Sequence, residues 1–118
     1  MNRFFKSFYF ACRGIEIFFK AERNGKIQAA IALCAVVAGY CFKVSQFEWV
    51  ALLFCMGLVI GLEMINTTVE KVCDMHSTEY DEDIKVIKDI AAGAVLWVSI
   101  LSAIVGCIIF IPHLVAYL

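Results

Sequence analysis

The most informative stretch of this chain is FEWVALLFCMGLVIGLEMINTTVEKVCD, from Phe47 to Asp74. Its first part, residues 47–62, is an apolar run, and residues 63–74 continue it with helical periodicity but carry carboxylates. An α-helix rises about 1.5 Å per residue, so about 20 residues cross a hydrocarbon core about 30 Å thick. Counted from Phe47, that core ends near Asn66. The stretch therefore predicts a membrane-spanning helix that continues into water to about Asp74.

Two further apolar runs flank this helix. Residues 27–42 are apolar apart from Gln28 and predict a span over about residues 24–42. Residues 90–111 are uncharged, end at the only proline, Pro112, and predict a span over about residues 88–111. Hydrophobic residues make up 63% of the chain, against about 45–50% in soluble domains. We expect an all-α membrane protein in which residues 1–118 form a single domain with three transmembrane helices.

The segment before the first span predicts a helix that lies on the membrane. Over residues 3–20, apolar side chains recur at helical spacing, while basic side chains line the opposite face. The apolar stripe consists of Phe4, Phe8, Ala11, Cys12, Ile15 and Phe19, and the basic face of Lys6, Arg13 and Lys20. A basic, aromatic-rich amphipathic helix is typical of the interface plane, with its aromatic side in the acyl boundary.

The basic residues also predict the orientation. Nine of the ten lie in residues 1–26 or 71–88, and basic flanks favour the cytosolic side. We therefore expect a multi-pass protein of the bacterial inner (cytoplasmic) membrane with its N-terminus and its charged site in the cytosol. A pI near 6.1 and the lack of any nucleic-acid motif predict no nucleic-acid partner. In the charged loop of residues 73–83, Ser77, Asp81 and Asp83 are possible caps of the last helix.

One polar stripe carries the chemistry. At 100° per residue, Glu63, Asn66, Glu70 and Asp74 fall within about 80° of arc on one helix face. Carboxylates so close together repel each other unless a cation or a proton offsets their charge. Mg²⁺ binds through one or two carboxylates plus substrate phosphates, so the stripe predicts a metal–nucleotide platform at the membrane edge. The competing interpretation is that Glu63 snorkels and the rest is a solvated helix end.

Three functions remain open on these residues alone. The platform favours a lipid kinase, because a lipid head group reaches this depth while its tail stays in the membrane. An oligomeric transporter could instead use Glu63 as a coupling carboxylate, although mid-membrane placement is more usual for that role. A non-catalytic assembly factor could associate through Gly57 and Gly61, which form a GxxxG step. No P-loop or GxGxxG motif is present, so a kinase here needs a different nucleotide site.

The polar stripe matches the E-x-x-N-x-x-x-E-x-x-x-D signature of a known family. Glu79-Tyr80 and Lys88-Asp89-Ile-Ala-Ala-Gly93 follow the stripe, and Glu22-Arg-Asn24-Gly-Lys26 precedes the first span. Together these motifs resemble the prokaryotic diacylglycerol kinase and undecaprenol kinase family over about residues 3–111. The resemblance implies a homotrimer with active sites between subunits. It also implies ATP- and Mg²⁺-dependent phosphorylation of a membrane lipid alcohol, with undecaprenol favoured over diacylglycerol.

The resemblance also implies roles for individual residues. Glu63 matches the catalytic base, Asn66 its polar network, and Glu22 and Glu70 the metal-binding carboxylates. Nucleotide contacts are expected from Arg3, Phe10, Glu22, Glu70, Asp74, Glu79, Tyr80, Asp81, Lys88 and Asp89. Lipid-substrate contacts are expected from Asn24, Lys26, Gln28 and Glu63. Phe10 stands where many members have tyrosine, so ring stacking can persist there but a hydroxyl contact cannot.

Overall fold

A computed structural model describes residues 2–76 and 79–118 of the chain. This part contains four helices: α1 (Arg3–Ala21), α2 (Arg23–Cys41), α3 (Gln46–His76) and α4 (Glu82–Tyr117). Helices α2, α3 and α4 are each long and apolar enough to cross a membrane. The predicted all-α class, with an N-terminal helix followed by three candidate spans, is confirmed.

Helix α1 begins at a side-chain cap and ends at a sharp corner. The Asn2 Oδ1 atom accepts hydrogen bonds from the backbone N–H groups of Phe4 and Phe5, at 2.7 and 3.2 Å. Phe18 is the one buried residue of α1, and the apolar stripe predicted along this helix is exposed from Phe4 to Ile15, with Phe19 partly buried. Glu22, in an extended conformation (φ −93°, ψ 133°), separates α1 from α2. With a single extended residue between the two helices, the chain turns sharply at Glu22.

Gly25 makes this corner possible. A Cβ atom built on Gly25 would collide with the backbone carbonyl and the ring of Phe18. The last turn of α1 and the first turn of α2 therefore approach more closely than any residue with a side chain allows. The corner holds Glu22 and Asn24 beside α3.

Helices α3 and α4 form the largest interface of the bundle. At the end remote from Glu63, Val44, Leu52 and Ile109 form a buried apolar cluster. There the His113 Nε2 atom lies 3.1 Å from Glu48 Oε1 and joins the end of α4 to the start of α3. The Glu48 carboxylate also accepts a 2.8 Å hydrogen bond from the Ser45 N–H group. These contacts hold α3 and α4 together at the end of the bundle opposite the carboxylate stripe.

Helices α3 and α4 are longer than a bilayer is thick. Their 31 and 36 residues correspond to about 46 and 54 Å, against a hydrocarbon core of about 30 Å. Asp81 caps α4 by accepting hydrogen bonds from the N–H groups of Asp83 and Ile84, at 2.8 and 3.2 Å. Ser77, another predicted cap, lies outside the described residues. Helix α4 continues through Pro112, where the apolar run ends, to Tyr117.

Candidate active site

Glu63 lies inside the bundle at the point where α3 changes from apolar to charged. It is only 5% exposed, and its Oε1 atom accepts a 2.8 Å hydrogen bond from the Asn24 Nδ2 atom of α2. Among the described residues, Oε2 of Glu63 has no hydrogen-bond partner. A buried carboxylate with one oxygen held and the other available is suited to accept a proton from a substrate hydroxyl.

The next turns of α3 continue the polar stripe. Asn66 is 5% exposed, and its Nδ2 atom donates to Glu70 Oε1 at 3.3 Å. The Asn66 Oδ1 atom is buried and has no hydrogen-bond partner among the described residues. Thr67, beside the stripe, is also buried. A buried acceptor without a donor is costly, so the hydrogen-bonding capacity of this oxygen is left unused within the described residues.

Glu22 is brought to the same region by the corner between α1 and α2. Its Oε1 atom lies 3.0 Å from Nζ of Lys71, the residue that follows Glu70 on α3. The Glu22 side chain is 25% exposed and the Lys71 side chain 62%. The corner thus places the Glu22 carboxylate beside the charged half of α3, and the ammonium group of Lys71 offsets its charge.

A charged cleft of about 620 Å³ opens where α3 ends and α4 begins. Six of the predicted nucleotide contacts line it, together with two residues that the sequence did not single out, Ile84 and Lys85. The predicted six are Asp74, Glu79, Tyr80, Asp81, Lys88 and Asp89. Lys88 Nζ donates to Asp74 Oδ1 at 3.1 Å, and Lys85 Nζ donates to Asp89 Oδ2 at 2.6 Å. The cleft therefore presents two ammonium groups close to carboxylates, a surface suited to a metal-bound polyphosphate.

Some predicted residues lie away from this cleft. Arg3 and Phe10 are exposed on α1, and neither lines the cleft. Lys26 is exposed on the first turn of α2. Glu22 and Glu70, also expected to contact the nucleotide, do not line the cleft. The structure places Asn24 and Glu63 in direct contact, and the roles expected for all of these residues remain predictions.

An apolar groove of about 340 Å³ lies between α2, α3 and α4. Gln28 lines it one turn after Asn24, and Val59 and Ile60 line it four and three residues before Glu63. Residues three or four apart share a helix face, so the groove continues the faces that carry Asn24 and Glu63. The other lining residues are Ile31, Ala32, Ala35, Leu52, Cys55, Met56, Ser99, Ser102, Ala103, Gly106 and Phe110. Glu63 thus stands between an apolar groove and the charged end of the bundle.

The carboxylates at this end fit a hard divalent cation in part. Within residues 2–76 and 79–118, no cluster of three or more His, Cys, Asp or Glu side chains is arranged to hold a metal ion. Glu22 and Glu70 nevertheless supply carboxylate oxygens, and Mg²⁺ is commonly bound by one or two carboxylates with phosphates completing the shell. Glu22 already attracts a cation in the form of Lys71. The donor set therefore fits Mg²⁺ whose remaining ligands are water molecules or the phosphates of a nucleotide.

Sequence reasoning missed two partnerships in this site. Asn24 was expected to contact the lipid, which stays a prediction, and the structure shows a hydrogen bond from Asn24 to Glu63. Lys71 was not singled out, because its position next to Glu70 does not indicate that it pairs with Glu22. One signal for Asn24 was available in the sequence. Asn24 is a polar residue at the start of one span, and Glu63 is a carboxylate at the end of the next, so the two can meet.

Comparison with known proteins shows the family of this chain. Residues 9–110 match the family described as prokaryotic diacylglycerol kinase. The chain is 38% identical to undecaprenol kinase of Bacillus subtilis (strain 168) over 114 residues, covering 97% of this chain and 93% of that protein. It is 32% identical to a diacylglycerol kinase of Synechocystis over 111 residues, covering 93% of this chain and 63% of that protein.

A third relative extends the comparison. Diacylglycerol kinase of Escherichia coli (strain K12) is 28% identical over 112 residues, covering 95% of this chain and 92% of that protein. The matches span the N-terminal helix, all three apolar helices and the charged end of the bundle. By these matches the chain belongs to the prokaryotic diacylglycerol kinase family and is a membrane lipid kinase.

Proposed function

We propose that this protein transfers the γ-phosphate of ATP to the hydroxyl of a membrane lipid alcohol, with Glu63 as the general base. The observation that carries the proposal is the position of Glu63, buried and held by Asn24 between an apolar groove and a charged cleft. A lipid alcohol bound there has its tail in the groove and its hydroxyl at Glu63, while the cleft accommodates the nucleotide.

The chemistry follows from this placement. Glu63 takes the proton from the lipid hydroxyl, the alcohol oxygen forms a bond to the γ-phosphorus, and the bond from that phosphorus to the bridging oxygen breaks to release ADP. Phosphoryl transfer depends mainly on in-line positioning and on neutralising the phosphate charge. Lys88 and Lys85, which line the cleft, are placed to pair with phosphate oxygens. Asn66, with its unsatisfied buried Oδ1 atom, is placed to hold a donor next to Glu63.

Mg²⁺ is the metal that we propose for this site. Glu22 and Glu70 would hold it, and when bound it supplies positive charge to the phosphates. This assignment rests on the carboxylate donors and on the family membership, since kinases of this kind use a nucleotide and a metal.

Undecaprenol is the lipid alcohol that we favour over diacylglycerol. The relative with 38% identity carries the name undecaprenol kinase, whereas the relatives named diacylglycerol kinase that are cited above are 28–32% identical. We further propose that the protein is a homotrimer of the bacterial inner membrane with the charged end in the cytosol. The basic residues at that end support this orientation. The kinase assignment replaces the transporter and assembly-factor alternatives.

The test is lipid phosphorylation by the purified protein. Incubation with labelled ATP, Mg²⁺ and either undecaprenol or diacylglycerol should yield a labelled lipid phosphate, with the higher kcat/KM for undecaprenol. Glu63→Gln should lower kcat by about 10² or more, because glutamine keeps the shape but accepts no proton. Glu16→Gln, on the exposed face of α1, should keep wild-type kcat. If the Glu63→Gln enzyme retains more than about a tenth of wild-type kcat, or loses ATP binding instead, Glu63 is not the general base.

A further inference from the structure

Lys71 and Glu22 form an ion pair that joins two separate parts of the site. Glu22 is the corner residue between α1 and α2, and Lys71 lies in the charged half of α3. Their Nζ and Oε1 atoms are 3.0 Å apart. Among the described residues at this end of the bundle, Lys88 and Asp74 form a second ion pair between helices. Arg13, Lys20 and Lys85 pair with residues three or four positions away on their own helix.

On α3 the pair adjoins Glu70, the other carboxylate that we assign to a metal. Lys71 directly follows Glu70, so the ammonium group that neutralises Glu22 is carried by the neighbour of the second proposed ligand. Glu70 in turn accepts a hydrogen bond from Asn66 at 3.3 Å. Each of the two proposed ligands therefore has a partner within the chain. Without the ammonium group of Lys71 beside Glu22, the carboxylates at this end of the bundle would repel one another more strongly.

We propose that Lys71 is a tethered counter-ion of Glu22 that occupies the place of the divalent cation and gives way when that cation binds. This inference rests on the proposed function, in which Glu22 is a metal ligand. Lys71 is a positioning residue in this role: it keeps the carboxylate of Glu22 directed towards α3 until the metal replaces it. The released ammonium group then lies at the same end of the bundle as the bound phosphates.

The exposure of the two side chains shows why the exchange is feasible. The Lys71 side chain is 62% exposed, so water screens the pair and the lysine regains hydration when it leaves. A divalent ion that contacts Glu22 directly competes successfully against a screened ammonium. A pair of this strength lowers the apparent affinity for metal by about two- to fivefold, which binding measurements resolve.

Binding of Mn²⁺ to the full-length protein in detergent micelles, without nucleotide or lipid, tests the proposal. Free Mn²⁺ is quantified by electron paramagnetic resonance, so the readout does not depend on turnover. Lys71→Met, and the smaller change Lys71→Gln, should each lower the Kd for Mn²⁺ by about two- to fivefold. Lys71→Arg keeps the positive charge and should retain the wild-type Kd.

Two controls separate the pair from a general effect of charge. Lys20→Met removes the same charge two residues from Glu22, but Lys20 pairs with Glu16 at 3.4 Å, so this variant should keep the wild-type Kd. Glu22→Gln should weaken Mn²⁺ binding, and adding Lys71→Met to it should change the Kd no further, because the ammonium then has no carboxylate to block.

The outcomes distinguish this proposal from the metal assignment. If Glu22→Gln weakens Mn²⁺ binding while Lys71→Met and Lys71→Gln leave it unchanged, the counter-ion role of Lys71 is overturned and Glu22 stays a metal ligand. If Lys20→Met tightens binding as much as Lys71→Met, the effect is one of net charge and the proposal is likewise overturned. If Glu22→Gln leaves Mn²⁺ binding unchanged, the metal assignment fails and the counter-ion role fails with it.

Discussion

Asn24 and Glu63 are 39 positions apart in the sequence, yet their Nδ2 and Oε1 atoms lie 2.8 Å apart. This hydrogen bond ties the first turn of α2 to the middle of α3, where the apolar groove gives way to the charged end of the bundle. It fixes one oxygen of the proposed base and leaves the other for a substrate. The bond therefore links the packing of α2 against α3 to the chemistry that we propose for Glu63.

Removing the amide of Asn24 should impair turnover more than folding. Asn24→Ala deprives the Glu63 carboxylate of its donor, and a hydrogen bond to a charged group is worth about 1.5–3 kcal/mol. We expect kcat to fall about ten- to a hundredfold, measured with labelled ATP and lipid alcohol. Gln46→Ala removes an exposed amide at the opposite end of α3 and should leave kcat unchanged. Wild-type kcat in the Asn24→Ala enzyme would show that the bond does not orient the base.

Glu70→Gln should lower both the affinity for Mg²⁺ and the rate. The substitution removes one anionic ligand while keeping size, and the amide oxygen can still accept the hydrogen bond from Asn66. Rates measured over a Mg²⁺ titration should show a raised half-saturating concentration and a reduced plateau. Glu82→Gln, at the start of α4, serves as the matched control. Unchanged activity of Glu70→Gln at limiting Mg²⁺ would argue against a metal-binding role.

Gly25→Ala should disrupt the corner between α1 and α2. The added Cβ would strike the backbone carbonyl of Phe18, and overpacking of this kind typically costs about 1–3 kcal/mol. Since the same corner holds Glu22 and Asn24, we expect the melting temperature and kcat to fall together. Gly14→Ala meets nothing within 4 Å, and alanine favours helix, so that control should melt at or above the wild-type temperature. Equal melting temperatures for the two variants would refute a tight corner.

Spin labels along residues 3–20 should report a helix lying in the membrane interface. The apolar stripe of α1 is exposed from Phe4 (71%) and Phe8 (63%) to Ile15, and the basic residues lie on the other side. Accessibility to oxygen and to a water-soluble nickel complex should therefore alternate with a period of 3.6 residues. Uniform accessibility to oxygen along the segment would mean that α1 is immersed in lipid instead.

Local patterns in the sequence were sufficient for the helices and for the polar face of α3. An apolar run predicts a span when it has enough residues to cross the bilayer, because the length of a helix is set by its number of residues. The 100° rotation per residue places Glu63, Asn66 and Glu70 on one face whatever they contact. The cap of α4 at Asp81 is equally local, since its side chain bonds N–H groups two and three residues away.

The partners of these helix faces follow from the packing of the helices and not from local sequence patterns. Periodicity shows that Glu63 and Glu70 share a face, but the partners Asn24 and Lys71 depend on how closely and at what angle the helices pack. That packing is set at Gly25 by a contact between backbones, for which a periodic pattern carries no signal. The groove exists for the same reason: it is the space left between three helices, and its shape follows from their separation. Composition and periodicity are thus sufficient to predict a membrane protein whose third helix has a charged end. The packing of the corner between α1 and α2 against α3 brings Asn24 and Glu22 to that end and so forms the candidate site.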